Sequence, residues 1–127
     1  VATAASDGSQ QTYDYSNRYL KDFSLDGDGY ATLLLGRYRA GTTADLVTVD
    51  ASGAELGRMA ITDQVLSLSS AGRYIAVLTS DRLDIDTKDL SLYSSVDDTQ
   101  NARSVVMQAD GSAILVGGSS ARIYLPS

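Results

Sequence analysis

Hydrophobic and polar residues follow the same order at three places along the chain. In each copy an alternating segment leads to a turn that contains Gly29, Gly72 or Gly111, and an apolar run follows the turn. Apolar residues stand six and four positions before each glycine, a period of two that is typical of a strand with one buried face. The buried positions predicted in this way are Phe23, Leu25, Leu66, Leu68, Val105 and Met107.

The segments after the turns predict further strands. The apolar runs at residues 33–35, 75–78 and 114–116 are typical of central strands that are covered on both faces. The next segments, at residues 45–49, 82–85 and 122–125, alternate again and predict less buried strands. Outer fourth strands are predicted at residues 55–59 and 90–93, and the third copy has none.

The spacing of the copies favours one β architecture. The turn glycines are 43 and 39 residues apart, and a longer loop at residues 36–44 accounts for the difference. A four-stranded unit that repeats about every 40 residues is the pattern of a β-propeller blade. We therefore predict an all-β, propeller-like fold of about three four-stranded antiparallel blades, with a β-sandwich as the alternative.

The copies also define the expected domain organisation. Residues 1–11 are small and polar and predict a flexible N-terminal segment, followed by a single β-repeat domain at 12–127 with copies at about 19–61, 62–99 and 100–127. Propellers usually have four to eight blades, so three predict an open arc. A strand predicted at residues 12–15 would complete a last blade, either its own or that of a second chain, and two chains would then close a six-bladed ring. The alternative is a fragment of a longer propeller.

The Ser-x-x-Gly and Asp-Gly turns, with residues 82–90 after the second apolar strand, carry a family resemblance. The pattern resembles repeats of a bacterial family from anaerobic Gram-positive organisms, in which an N-terminal membrane anchor precedes a propeller-like domain similar to WD40 and quinoprotein repeats. The resemblance covers about residues 19–125. It implies an extracytoplasmic, anchored location and no assigned activity. The chain has neither His nor Trp, so it lacks the Gly-His, Trp-Asp and Trp-docking signatures of those repeats, and we expect no cofactor.

Composition excludes several classes of function. A net charge of −6 argues against a nucleic-acid partner, because phosphate binding needs clustered Lys and Arg. The absence of Cys and His excludes thiolate and imidazole metal ligands, cysteine nucleophiles and every triad that needs an imidazole.

Two acidic segments are candidates for chemistry. Asp26 and Asp28 resemble the start of a calcium loop, but position twelve of that loop would be Arg37 instead of Glu, so a hairpin turn is the favoured interpretation. Asp97 and Asp98 would serve as acid and base only if burial separated their pKa values, and adjacent residues in a loop predict a solvated connection.

One basic cluster is a candidate for binding. Arg37, Tyr38 and Arg39 are residue types enriched in binding centres, and they predict a contact with a glycan or an anionic peptide, or else a solvated loop. The later tyrosines are expected to pack between blades with their hydroxyl groups at the rim: Tyr74, Tyr93 and Tyr124.

Three functions remain open from the sequence. The first is a non-catalytic binding or scaffold module of propeller type, with a protein, peptide or glycan as partner. The second is a carboxylate-dependent, glycan-active enzyme that uses paired Asp side chains. The third is a purely structural domain whose open blade edges mediate assembly.

Overall fold

The chain is built entirely from antiparallel β-sheets. A computed structural model describes residues 2–4, 10–36, 43–99 and 101–126, and within these ranges it contains thirteen strands and no helix. This confirms the all-β prediction. The strands are β1 (Ala2–Ala4), β2 (Gln10–Thr12), β3 (Tyr19–Ser24), β4 (Tyr30–Gly36), β5 (Ala44–Asp50), β6 (Glu55–Ile61), β7 (Val65–Ala71), β8 (Tyr74–Thr79), β9 (Leu83–Thr87), β10 (Leu92–Val96), β11 (Ser104–Met107), β12 (Ala113–Val116) and β13 (Ala121–Tyr124).

Three sheets follow the three sequence copies. Sheet 1 has the order β3-β4-β5-β6, sheet 2 the order β7-β8-β9-β10, and sheet 3 the order β11-β12-β13, so each is a meander of neighbouring antiparallel strands. The predicted hairpin glycines are confirmed, since Gly29, Gly72 and Gly111 have φ values of 74°, 57° and 93°. Residues with a Cβ atom rarely adopt this left-handed backbone conformation, whereas glycine adopts it freely.

The sheets stack in chain order around two shared hydrophobic layers. Between sheets 1 and 2, Leu34 and Leu46 pack with Ile75 and Val77. Between sheets 2 and 3, a second layer contains ten buried residues, among them Leu78, and Tyr124 packs against it. Stacked open sheets of three or four strands are consistent with either a propeller-like or a sandwich fold.

Hydrogen bonds join the first strands of adjacent sheets, or the turns that follow these strands. The amide of Asp28 donates to the carbonyl of Gly72 at 2.9 Å, within a short parallel bridge between sheets 1 and 2. Between sheets 2 and 3, the amide of Met107 donates to Ser69 Oγ at 2.9 Å. Because all these contacts lie on β3, β7 and β11 or their turns, the first strand of each sheet lies beside the first strand of the next.

Burial differs from the sequence prediction on several strands. The central strands β4 and β8 are buried throughout, as predicted, but β12 has an exposed face that includes Val116. Strands β5 and β9 were predicted to be less buried, which is wrong. Strand β5 is buried because sheet 1 is covered on both faces, and Leu83 and Ile85 of β9 are buried in the layer shared with sheet 3. Phe23, Leu25 and Leu66 were predicted to be buried, yet they are 52%, 58% and 42% exposed. Phe23 lies on the face of β3 that is turned away from sheet 2, Leu25 follows that strand, and Leu66 lies where the β7–β8 register shifts.

The N-terminal segment covers the outer face of sheet 1. In the part predicted to be flexible, β1 and β2 pair as two short antiparallel strands. The prediction of a strand at residues 12–15 is wrong beyond Thr12. Tyr13 and Tyr15 lie outside any strand, and their side chains pack against sheet 1. The residues beneath them are at most 1% exposed: Leu33, Leu35, Val47 and Val49.

An ion pair fixes this cover in place. Arg18 Nη1 lies 2.7 Å from Asp45 Oδ2, and both side chains are almost completely buried. Arg18 also donates from Nε to the carbonyl oxygen of Tyr15 at 2.7 Å and from Nη2 to Tyr13 Oη at 3.0 Å. One guanidinium therefore joins the N-terminal segment to strand β5.

Candidate functional site

The sequence-predicted site residues do not form one site. Arg37, Tyr38 and Arg39 lie outside the described residues. Asp26 and Asp28 lie exposed in the turn between β3 and β4, which is the predicted hairpin. Within the described ranges there is no group of three or more carboxylate, imidazole or thiolate side chains that could hold a metal ion.

The other predicted residues divide between solvent and core. Asp97 and Asp98 lie exposed after β10, in the connection where the sequence placed them. Tyr74 and Tyr124 pack between sheets 2 and 3, as expected, and the hydroxyl group of Tyr124 lies 2.6 Å from Ser94 Oγ. Tyr93 is 47% exposed, and its ring centroid lies 4.9 Å from that of Tyr74.

Strand β9 brings a pair of carboxylates into the layer between sheets 1 and 2. Its apolar residues, Leu83 and Ile85, belong to the layer shared with sheet 3. Because side chains alternate across a strand, Asp84 and Asp86 point to the opposite side. In the register of β8 and β9, Asp84 lies opposite Val77 and Asp86 lies opposite Ile75. Both of these β8 residues face sheet 1.

Asp86 is the most unusual polar residue of this layer. Its side chain is 2% exposed, and its Oδ2 atom has no hydrogen-bond partner among the described residues. Burial, with the nearby charge of Asp84 as a smaller cause, raises the pKa of Asp86 to about 7. An isolated buried carboxylate strongly favours its neutral form, or else a cation beside it.

Asp84, in contrast, is fully engaged. Its Oδ1 accepts a hydrogen bond from Ser95 Oγ at 2.8 Å, and its Oδ2 accepts one from Arg82 Nε at 3.1 Å. The two carboxylates therefore differ in environment although they stand two residues apart on one strand face. Such a difference is what separates an acid from a base in carboxylate enzymes.

Two cavities open beside Asp86. One has a volume of about 110 Å³ and the other of about 200 Å³, and both are lined by Met59, Arg82, Asp84 and Asp86. Ligand pockets for drug-sized molecules usually measure about 300–1,000 Å³. These dimensions favour a small head group over a sugar chain.

A second candidate site is the outer face of sheet 3. The strand register places Val106, Ile114 and Ile123 in one row across the three strands, and Val116 in the next row. Ile123 is 65% exposed, and Leu125, which follows β13, is 71% exposed. No charged side chain of the described strands points to this face, because Arg122 turns inward and donates to the carbonyl oxygen of Thr99.

Comparison with known proteins gives no further guide. No protein-family model matches the sequence, and no curated protein or solved structure matches it significantly. Within the described ranges there is also no helix with the length and hydropathy needed to cross a membrane. The site must therefore be interpreted from its own geometry.

Sequence patterns alone did not identify Asp86. The segment Leu83-Asp84-Ile85-Asp86 alternates, so it resembles an ordinary strand with one face in solvent. The useful signal was the neighbouring strand, whose apolar residues on both faces require cover on both sides of sheet 2. A polar residue opposite such a strand is then buried as well.

Proposed function

We propose that the chain is a non-catalytic assembly and binding module whose outer face on sheet 3 is covered by a second copy of the same chain. The observation that carries the proposal is the uncharged apolar face that contains Val106, Ile114, Val116 and Ile123. A contiguous exposed apolar patch of this kind marks an interaction surface.

The existing sheet contacts support a sheet as the occupant. Sheets 1, 2 and 3 already stack face to face through apolar layers, and the outer face of sheet 3 continues that stack. At the other end of the stack, Tyr13 and Tyr15 cover the core of sheet 1. The sheet 1 end of the stack is thus partly covered by the N-terminal segment, whereas the sheet 3 end presents an exposed apolar face.

This asymmetry favours a two-fold pairing. When only one face of a chain is open, the simplest closed assembly places that face against the same face of a second chain. The chain has a net charge of −6, and an uncharged contact face lets two such chains meet without bringing like charges together. Ring closure onto sheet 1 has less support, because Tyr13 and Tyr15 already pack over its buried residues, although Phe23 and Leu25 near its β3 edge are exposed.

Paired substitutions test the proposal. Ile123→Lys places a charge on the β13 side of the proposed contact, and we expect it to convert a dimer into a monomer in sedimentation velocity experiments. Leu92→Lys is the matched control, because Leu92 is 67% exposed on β10 of sheet 2 and lies outside the face. The proposal is wrong if both variants keep the mass of the wild-type protein, or if both lose it equally.

A further inference from the structure

We propose that the cavity beside Asp86 binds a small organic cation with N–H donors, of the guanidinium class. The inference concerns the layer between sheets 1 and 2 and goes beyond assembly through sheet 3. It begins with Asp86, a residue that lines both cavities and whose buried Oδ2 atom has no hydrogen-bond partner among the described residues.

Hydrogen bonding shows what is missing at this atom. A carboxylate only accepts hydrogen bonds, so an occupant must bring a donor. Ser95 and Arg82 are already engaged with Asp84, and no described donor reaches Asp86 Oδ2. An unpaired buried oxygen destabilises the folded chain, and a charged one does so more strongly.

The charges around the smaller cavity favour a cation. Asp63, Asp84 and Asp86 line it, and Arg82 is the cationic side chain among its lining residues. With all these groups ionised, carboxylates outnumber the guanidinium, so a second cation would be attracted. Asp63 enters from the link after β6, and Arg82 and Asp84 belong to β9 or its start.

Size and shape narrow the class of cation. An apolar cavity of about 150 Å³ admits benzene, so a cavity of about 110 Å³ has room for a guanidinium group, which has fewer heavy atoms. Met59 and Val77 supply an apolar wall for the flat faces of such a group, while its edge presents N–H donors to the carboxylate. A hard metal ion fits less well, because no three carboxylate side chains of the described residues lie close enough together to hold one.

Titration with methylguanidinium chloride tests the proposal, with the carboxyl carbon signals of the uniformly labelled protein followed by nuclear magnetic resonance at pH 8. We expect a saturable shift of the Asp86 signal and no such shift with tetramethylammonium chloride, which has no N–H donor, at equal ionic strength. Affinity is expected to fall roughly tenfold from pH 8 to pH 6, because the pKa of Asp86 is near 7 and fewer carboxylates are then ionised.

Variants complete the design. Asp86→Asn is expected to abolish the binding of methylguanidinium measured by calorimetry, whereas Asp97→Asn, which removes an equal charge from an exposed position, is expected to retain it. A parallel titration with N-acetylarginine amide separates two sources: binding of both compounds indicates a head group presented on a side chain, and binding of methylguanidinium alone indicates a free small cation. The proposal is overturned if no saturable shift occurs, if tetramethylammonium produces the same shift, or if Asp86→Asn binds as well as the wild type.

Discussion

Ser24 and Ser70 hold β3 and β7, the first strands of sheets 1 and 2, together through a buried pair of hydrogen bonds. Their hydroxyl oxygens lie 2.6 Å apart, and the amide of Ser70 donates to Ser24 Oγ at 3.0 Å. Ser67 and Ser69 accept amides of β11 in the same way. Serine side chains on the first strand of one sheet thus satisfy backbone donors at the start of the next.

Removal of the two hydroxyl groups should have unequal effects. Ser24→Ala leaves the buried amide of Ser70 without its acceptor, so we expect a loss of about 1–3 kcal/mol in the free energy of unfolding. Ser70→Ala removes only the contact between hydroxyl groups, and about 0.5–1.5 kcal/mol should be lost. Urea unfolding of both variants measures the order. An equal or larger loss in Ser70→Ala would contradict this account of the contact.

The ion pair between Arg18 and Asp45 should be important for stability. Arg18→Met removes one partner of a buried ion pair, and we expect a loss of about 3–5 kcal/mol, which is the usual cost of breaking such a pair. Arg58→Met is the control, since Arg58 pairs with Glu55 at the surface, where solvent weakens the interaction. Urea unfolding should show a much smaller change for Arg58→Met; similar midpoints for the two variants would refute the assignment.

The turn glycines allow a prediction about backbone strain and packing. Gly29→Ala and Gly72→Ala both force alanine into a left-handed conformation, at a cost of about 1–2 kcal/mol each. At Gly72 an added Cβ would also lie 3.2 Å from Cα and Cβ of Ala109, whereas at Gly29 it meets no atom within 4 Å. Thermal unfolding should therefore show a larger drop in Tm for Gly72→Ala. The reverse order would mean that sheets 2 and 3 do not meet at this turn.

Asp86 should make stability decrease as the pH rises. Its pKa is about 7 in the folded chain and close to the ordinary value of 3.8 in the unfolded chain, so folding takes up a proton between these values. The folded state therefore gains from Asp86 at low pH and loses that gain as the pH rises through 7, by roughly 2–4 kcal/mol.

Asp86→Asn isolates this effect from the other carboxyl groups. The variant should lose the Asp86 part of the pH dependence and should be more stable than the wild type at pH 8. Urea unfolding at pH 5 and pH 8 gives both values for each protein. If the difference between variant and wild type is the same at the two pH values, Asp86 is not a buried titrating group.

The sequence predicted the fold class well, because the signals were local. Period-two alternation and a turn glycine recur in all copies, so the strands of each sheet follow from short segments of chain. Prediction failed where burial depended on distant residues: β5 is covered on its outer side by Tyr13 and Tyr15, whose alternating segment predicts a strand of another blade instead. Likewise, the outer face of β12 is open because no further sheet of the described chain stacks on sheet 3.

The acidic residues of the chain have separate structural roles. Several carboxylates form the turns themselves, because a serine two residues later donates its amide to the Asp side chain, as at Asp50 and Asp110. The hydroxyl groups of Ser52 and Ser112 also donate to these carboxylates, which lowers the pKa of each. The spacing Asp-x-Ser was present in the sequence and predicts such turns. Asp86 lacks it, and its different role depends on packing between sheets.

The mass of the wild-type protein in solution tests the central proposal most directly. Light scattering on a size-exclusion column, across a roughly hundredfold dilution, reports whether chains separate as concentration falls. Pairing through sheet 3 predicts twice the mass of one chain at high concentration, with dissociation only on strong dilution. A single-chain mass at every concentration would contradict the proposal that a second copy covers Val106, Ile114, Val116 and Ile123.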